Sequence, residues 1–345
     1  MARRKLESAI QLGRALEKDY DLKEKFKNAK VNSIPHDISR EGIFSLQFSY
    51  DANHLAVGHG TAGVLLYDAV TGKYLGEPIR ARYGGLAIMC VRFNPKEQSV
   101  LFASSSEGKI YKADINTMKY HQIIEEEGNE INCMDFCMDG FNFATGGRDL
   151  GVRVYDTNTA QLVRLYEGYS ETCVPTDYPT AGHAMRVFAL KYHPERNDIF
   201  VTAGWDNCIK IWDARSQDGV KRSIGGAHVC GDSLDIRGNQ ILTGSWTANH
   251  ALQIWDYTEG KLAKEVPFPD EGNGSFLYCA QYFSDSVVIA GGSGTNSAKI
   301  ININTDECYG VIQMKKPVQA MDSTLGGGRI AVGSGDDSLK LINLP

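Results

Sequence analysis

The stretch GHAMRVFALKYHPERNDIFVTAGWDNCIKIWDAR, residues 182–215, poses the main question about this chain. It begins with Gly-His, reaches Trp-Asp near its end and alternates apolar and polar residues twice in between. Alternation with a period of two is typical of half-buried β-strands. The stretch also carries four side chains that could form either a catalytic or a structural site: His183, Thr202, Asp206 and Trp212.

The same pattern recurs along the chain at a nearly fixed period. Its clearest mark is an alternating aliphatic run that ends in Asp or Asn, and it occurs at Asp68, Asp114, Asp156, Asp213, Asp256, Asn302 and Asn343. The intervals between successive marks are 46, 42, 57, 43, 46 and 41 residues. Intervals near 43 residues indicate seven repeats, and the long interval indicates an insertion, which we place at residues 167–181.

Each repeat is long enough for about four short strands, and one such sheet cannot bury both of its faces. Sheets of this size bury their faces when they stack around a ring. The repeats resemble those of the WD40 family, above all at Gly182-His183 and Trp212-Asp213, and in the next repeat at His228 and Trp255-Asp256. The resemblance covers residues 31–345 and implies an all-β, seven-bladed β-propeller.

Closure of the ring is the next expectation. The seventh repeat ends in LKLINLP, which supplies a third strand and leaves no residues for a fourth. Residues 31–38, VNSIPHDI, precede the first repeat and have no other assignment. The resemblance implies that both termini meet in one sheet, so we expect residues 31–38 to form the outer strand of the last blade and to remove an exposed edge.

Residues 1–30 form a separate N-terminal extension in this interpretation. They hold nine Lys or Arg and five Asp or Glu, and Leu6, Ile10, Gly13, Leu16 and Tyr20 recur at helical spacing. This pattern predicts an amphipathic helix. We expect the helix to bind a partner or to self-associate, and its removal through residue 27 to leave a folded propeller.

The WD40 resemblance assigns a structural role to the four side chains of the opening stretch. The resemblance implies that Asp206 accepts a hydrogen bond from one ring nitrogen of His183 and that the other nitrogen bonds Thr202. Thr202 would also accept a hydrogen bond from the indole N–H of Trp212. If the four side chains were catalytic, Thr202 would be the nucleophile. A nucleophile needs exposure to the substrate and an oxyanion hole nearby. Thr202 lies inside an alternating strand pattern, and incomplete copies of the four-residue set recur in other repeats. We therefore expect no catalytic residue.

Composition excludes several function classes. The net charge of -6 argues against a nucleic-acid ligand, since such binders neutralise phosphates. No apolar run is long enough to span a membrane, and no apolar signal core begins the chain. The eight cysteines are scattered, with no Cys-x-x-Cys pair, so we expect reduced thiols, no metal, no cofactor and a cytoplasmic or nuclear location. The acidic run at residues 124–127 is interpreted as a solvated loop, with binding of a basic partner as the alternative.

The binding surface is expected on the loop-rich face, which carries the loops between blades and the turns between the second and third strands of each blade. The resemblance implies that Arg148, Trp205 and Trp246 project there, while Arg186 and Phe276 lie at the starts of inner strands. Exposed aromatic and arginine side chains commonly anchor interfaces. The insertion at residues 167–181 would border them. In the alternative reading, Trp205 and Trp246 pack on neighbouring loops.

Three function classes follow. The first is a non-enzymatic protein-interaction scaffold that binds a peptide or protein on the loop-rich face. The second is a G-protein β-like subunit, because a helix followed by seven blades resembles that layout. The third is a substrate receptor of a cullin-RING ubiquitin ligase, because IKIWDAR, residues 209–215, matches the WDxR pattern of such receptors at Trp212, Asp213 and Arg215.

Overall fold

The fold consists of seven four-stranded antiparallel sheets. It is described by a computed structural model for residues 21–35, 40–168, 182–217 and 219–345. The inner strands of the seven blades are β2 (Ile43–Phe48), β6 (Ile88–Phe93), β10 (Ile131–Phe136), β14 (Val187–His193), β18 (Leu234–Arg237), β22 (Leu277–Tyr282) and β26 (Val318–Ser323). The second strands are β3 (His54–His59), β7 (Val100–Ser105), β11 (Asn142–Gly147), β15 (Arg196–Gly204), β19 (Gln240–Gly244), β23 (Val287–Gly292) and β27 (Arg329–Ser334).

The remaining strands complete each blade outward. The third strands are β4 (Val64–Asp68), β8 (Lys109–Asp114), β12 (Val152–Asp156), β16 (Cys208–Asp213), β20 (Leu252–Asp256), β24 (Ser297–Asn302) and β28 (Leu339–Asn343). The outer strands are β5 (Tyr74–Ile79), β9 (Lys119–Glu125), β13 (Leu162–Tyr166), β17 (Val220–Gly225), β21 (Lys261–Glu265), β25 (Cys308–Gln313) and, for the seventh blade, β1 (Lys30–Ile34).

The blades form a closed ring around a central channel. Each inner strand contacts the inner strands of both neighbouring blades, and the cycle closes between β26 and β2. The hydrophobic core is divided accordingly into seven clusters, one at each boundary between blades. Each sheet therefore buries its faces against its neighbours, which is the stabilisation expected of a repeat architecture. The all-β, seven-bladed prediction is confirmed.

All seven repeat marks end the third strand of their blade. In the first blade, the Asp68 carboxylate accepts hydrogen bonds from the amides of Val70 and Thr71, at 3.0 and 2.7 Å. Asp114, Asp156 and Asn302 make equivalent bonds. An Asx side chain that binds amides two and three residues ahead turns the chain back, so in these blades the repeated Asp or Asn starts the turn into the outer strand.

The seventh blade takes its outer strand from the N-terminal segment. β1 lies antiparallel to β28, with Lys30 opposite Asn343 and Ile34 opposite Leu339. Residues 36–39 lie outside the described residues, and the segment resumes beside the seventh blade, where Asp337 accepts hydrogen bonds from the amides of Arg40 and Gly42 at 2.9 and 2.8 Å. The N-terminal segment is therefore attached to the seventh blade both by the pairing of β1 with β28 and by the hydrogen bonds that Asp337 accepts.

A short helix, α1 (residues 21–27), precedes β1. Its Phe26 is 9% exposed and belongs to the core cluster between the sixth and seventh blades. Lys23 forms an ion pair with Glu307 of the sixth blade. This end of the predicted N-terminal helix therefore packs on the propeller, whereas residues 1–20 lie outside the described part of the chain.

Candidate functional site

Four side chains of the fourth blade form a continuous hydrogen-bonded relay. His183 Nδ1 lies 2.8 Å from Asp206 Oδ2, and its Nε2 lies 2.6 Å from Thr202 Oγ1. The indole Nε1 of Trp212 donates to the same Thr202 oxygen at 2.7 Å. Burial lowers the pKa of His183, although the hydrogen bond to Asp206 opposes this shift. A neutral imidazole that donates through Nδ1 and accepts through Nε2 satisfies every polar atom of the relay.

The relay leaves no accessible nucleophile. Thr202 and His183 are fully buried, and Trp212 is stacked on Phe200 with ring centroids 5.9 Å apart. Because the Thr202 oxygen already bonds both His183 and Trp212, attack on a substrate would require the blade to open. The relay can link the loop before β14 to the strands β15 and β16, which is a structural role.

The third blade contains a different polar set centred on Glu126. Glu126 is 5% exposed, and its Oε1 accepts from Thr145 Oγ1 at 2.7 Å and from the Tyr155 hydroxyl at 2.9 Å. Its Oε2 accepts from Asn129 at 2.6 Å and lies 3.2 Å from Arg153. The interpretation of residues 124–127 as a solvated loop is therefore wrong for Glu126, which takes the place of the missing histidine, and for Ile124 and Glu125, which end strand β9.

The fifth blade keeps only part of the relay. Trp255 Nε1 donates to Thr243 Oγ1 at 2.9 Å, as in the fourth blade. His228 instead bonds Asn207 of the neighbouring blade through its Nδ1, at 2.7 Å. This blade therefore retains the inner bond of the relay, and its histidine links two blades.

The predicted surface residues of the third and fourth blades are joined through an acidic side chain. Glu130 binds Arg148 at 2.8 Å with one carboxylate oxygen and Arg186 at 2.6 Å with the other. The Arg186 guanidinium lies 5.9 Å from the centre of the Trp205 ring, which in turn packs on Phe188 at 5.0 Å. The structure thus brings Arg148, Arg186 and Trp205 together. Glu130 immediately precedes the inner strand β10, as Arg186 and Phe276 precede β14 and β22, so the repeat position that selected those two residues could also have found Glu130.

The other two predicted surface residues form a second group. Trp246 packs on Phe276 with ring centroids 5.4 Å apart. Trp246 is 41% exposed and Phe276 is half-buried. Both Trp205 and Trp246 therefore pack on neighbouring side chains while keeping part of their surface exposed. Packing on neighbouring residues and projection onto the loop-rich face are thus compatible for both. Most of the insertion that would border them, residues 169–181, lies outside the described residues.

Arg215 lies at the opposite face, which carries the turns after the inner and third strands and is called here the turn face. Its side chain is 68% exposed and pairs with the Asp213 carboxylate through Nε and Nη2, both at 2.9 Å. The three WDxR residues therefore differ in exposure, because Trp212 and Asp213 are buried and only Arg215 offers substantial surface.

Metal and redox chemistry have no candidate centre in the part of the chain that the structure describes. No group of three His, Cys, Asp or Glu side chains there is arranged to hold a metal ion. Seven described cysteines are free thiols, and burial raises the pKa of Cys90 to about 11 and that of Cys137 to about 12. Thiols with raised pKa values are poor nucleophiles at neutral pH.

Comparison with known proteins agrees with the repeat structure. Residues 115–156 and 172–213 match the WD40 family, described as WD domain, G-beta repeat. The chain is 25% identical over 203 residues, 57% of its length, to nuclear distribution protein nudF of Aspergillus niger, and covers 44% of that protein. It is 25% identical over 247 residues, 70% of its length, to WD repeat-containing protein slp1 of Schizosaccharomyces pombe, and covers 46% of it.

A third relative is cleavage stimulation factor subunit 50 of Arabidopsis thaliana, with 24% identity over 218 residues, 61% of this chain and 47% of that protein. The chain thus spans less than half the length of each of these relatives. Within the described ranges, no helix has the length and apolar character needed to cross a membrane.

Proposed function

The chain carries WD40 repeats and folds as a seven-bladed β-propeller, and from that premise we propose that it is a non-enzymatic scaffold that binds a peptide or protein partner on its loop-rich face. The observation that carries this proposal is the partly exposed cluster of Arg148, Arg186 and Trp205, extended by Trp246 and Phe276. These side chains come from the third to the sixth blade and form two groups, Arg148, Arg186 and Trp205 in one and Trp246 and Phe276 in the other. Rigid aromatic and arginine side chains are the usual anchors of interfaces.

The charges of the cluster favour a partner segment with aromatic and acidic residues. Glu130 is shared by two arginines, so the local charge is +1, and the Arg148 side chain remains 55% exposed. Its outward guanidinium can bind a carboxylate of a partner, while the Trp205 and Trp246 faces can stack on an aromatic ring. The partner is a protein in this proposal, with no role for a nucleic acid, a membrane or a cofactor.

The same premise supports the remaining parts of the proposal. The buried relay of the fourth blade offers structural links and no exposed nucleophile, which supports a non-enzymatic role. One relative is named as a subunit of a larger factor, which is compatible with a platform for assembly. The proposed location is the cytoplasm or the nucleus, where the free thiols stay reduced. We also propose that the N-terminal helix contacts a partner or a second copy of the chain, through residues other than Phe26.

The test is affinity capture of partners by the full chain and by three variants, with mass spectrometry and quantitative binding of the captured partner. Trp205→Ala and Arg148→Glu should each weaken binding by about 2 kcal/mol. Arg215→Ala is the matched control, since it removes an exposed arginine from the turn face. Loss of binding in Arg215→Ala with full binding in Trp205→Ala would contradict the proposal and favour the ubiquitin-ligase receptor alternative. Binding retained by all three variants but lost without residues 1–20 would favour the G-protein β-like alternative.

A further inference from the structure

Seven side chains at equivalent positions surround the mouth of the channel on the loop-rich face. Each belongs to the second residue of its inner strand or, in the fifth blade, to the residue two positions before the strand. In six blades this residue is the extra residue of a β-bulge, where the register with the second strand shifts. A bulge re-aims the side chain of its extra residue. The seven, called here the mouth ring, are Phe44, Met89, Asn132, Phe188, Asp232, Tyr278 and Gln319.

The mouth ring differs in character from the channel beneath it. Three residues further along the chain in each blade, the equivalent side chains are all polar, from Gln47 in the first blade to Asp322 in the seventh. In the mouth ring, four large apolar side chains are partly exposed and lie outside the buried core clusters. These are Phe44, Met89, Phe188 and Tyr278. Apolar side chains that converge at an opening above a polar channel indicate a surface that a partner covers.

The mouth ring encloses a cavity of about 190 Å³. An apolar cavity of about 150 Å³ can bind benzene, so this space suits one phenyl ring. Cys90, Cys133 and Cys230 also line it, so with Met89 four sulfur-bearing side chains stand beside the three aromatic ones. Sulfur makes favourable contacts with aromatic rings, and aromatic rings pair with one another edge-to-face or offset. The walls therefore favour an aromatic ring over an aliphatic group of similar size.

Charge in the walls of the cavity is balanced. Asp232 is the charged member of the mouth ring, and it also borders the narrower channel beneath. Its Oδ2 accepts from Arg92 Nη2 at 2.8 Å, and Arg92 Nε lies 3.5 Å from Asp135. The amide of Asn132 is engaged as well, since its Nδ2 donates to the carbonyl of Val187 at 3.0 Å. The Asp232 carboxylate thus already has its cation, so the walls favour an uncharged ligand.

The cavity is continuous with the proposed partner-binding surface through Phe188. The Phe188 side chain lines the cavity and packs on the Trp205 ring, with ring centroids 5.0 Å apart. A partner segment that stacks on Trp205 therefore lies one side chain away from the mouth of the channel. A neighbouring residue of that segment can then place its own side chain in the cavity.

We propose that the cavity binds one phenylalanine side chain of the partner protein, presented by the same segment that contacts Trp205 and Arg148. The identity of this occupant rests on the proposed function, which puts a protein partner on the loop-rich face. Arg148 would select an acidic residue of the segment, and the cavity would select an uncharged aromatic residue beside it. The cavity is thus a specificity pocket for the partner segment.

The test uses the full chain labelled with ¹³C at its methionine methyl groups, with the Met89 signal assigned from its loss in Met89→Leu. Titration with N-acetyl-phenylalanine amide should shift the Met89 signal to saturation, because a ring bound in the cavity changes the surroundings of that methyl group. The signal of Met138, which is exposed at the turn face, should not respond. N-acetyl-cyclohexylalanine amide should bind more weakly, and N-acetyl-lysine amide should cause no shift.

Phe44→Gln removes one aromatic wall of the cavity. It introduces the side chain that Gln319 supplies at the equivalent position of the seventh blade, so the first blade should remain folded. The dissociation constant of N-acetyl-phenylalanine amide should rise about threefold to tenfold. Phe141→Gln is the matched control, because Phe141 is 51% exposed at the turn face and its loss should leave binding unchanged. Melting temperatures of both variants confirm that they are folded.

Binding of the captured partner separates this inference from the proposed function. The partner should bind Phe44→Gln less tightly, as it should Trp205→Ala, and N-acetyl-phenylalanine amide should displace it. If Trp205→Ala loses the partner while Phe44→Gln keeps it, the proposed surface stands and the cavity inference fails. No Met89 response to the phenylalanine probe, equal affinity for the lysine or cyclohexylalanine probe, or a Met89 shift caused by raising the protein concentration alone would each overturn the inference as well.

Discussion

The Phe26 ring of helix α1 packs against Phe283 of the sixth blade, with centroids 5.2 Å apart and an angle of 58° between the ring planes. This contact ties the N-terminal extension to a blade other than the one that its strand completes. The helix is therefore anchored beside the sixth blade before the chain enters β1 in the seventh.

The contact changes the outcome expected from truncating the N-terminus. The sequence alone predicts that loss of residues 1–27 leaves the propeller intact, but Phe26→Ala should lower the free energy of unfolding by about 2–3 kcal/mol because it opens a cavity beside Phe283. Removal of residues 1–20 is the control and should be neutral. Removal through residue 38 deletes β1 and should cause unfolding or aggregation. Equal stability of all three truncations in urea unfolding would contradict both the contact and the closure.

His183→Ala should lower the free energy of unfolding by about 1–3 kcal/mol, because Thr202 and Asp206 would lose a buried partner. Partner binding on the loop-rich face should be unaffected. His121→Ala, which changes an exposed histidine on an outer strand, should leave stability within about 0.5 kcal/mol. A large loss of binding in His183→Ala without a change in melting temperature would show that the relay has a functional role.

Glu126→Ala should destabilise the third blade by about 2–4 kcal/mol, since it leaves Arg153, Thr145 and Tyr155 without their shared acceptor. Glu127→Ala is the neighbouring control, because Glu127 is exposed and should tolerate the change. Chemical denaturation of both variants measures the difference. Similar stabilities would mean that water replaces the Glu126 carboxylate in this blade.

Stability should depend on pH through Asp322. Burial of Asp322 on the inner strand β26 raises the pKa of its carboxyl group from the usual 3.8 to about 6, so the folded protein holds the proton more tightly than the unfolded chain. The corresponding stabilisation is complete below about pH 4 and is lost as the pH rises through about 6, with an upper limit of about 3 kcal/mol that solvent screening reduces. The difference in unfolding free energy between the wild type and Asp322→Asn should fall across this interval. A flat difference would show that Asp322 titrates normally.

The fold could be predicted because its determinants are local and repeated. Asp68 and its six equivalents each end a third strand, and each is visible as the end of an alternating run. Glu126 was not recognised, because its role depends on Tyr155 and Arg153 from another strand rather than on its own neighbours. Glu130 was missed although it precedes an inner strand as Arg186 does, because only aromatic and arginine side chains were sought at that position and its two arginine partners come from different blades. Pairings that the ring brings together across long sequence separations leave no mark in a local pattern.

The pairing of β1 with β28 has a consequence for the order of synthesis. β1 leaves the ribosome more than three hundred residues before its partner β28 is made. During translation the edge of β1 therefore has no strand to pair with, even when the intervening blades have formed. Closure must follow the synthesis of β28, so a nascent chain stalled in the seventh repeat would expose the edges of β1 and of the incomplete seventh blade and would depend on chaperones to avoid aggregation.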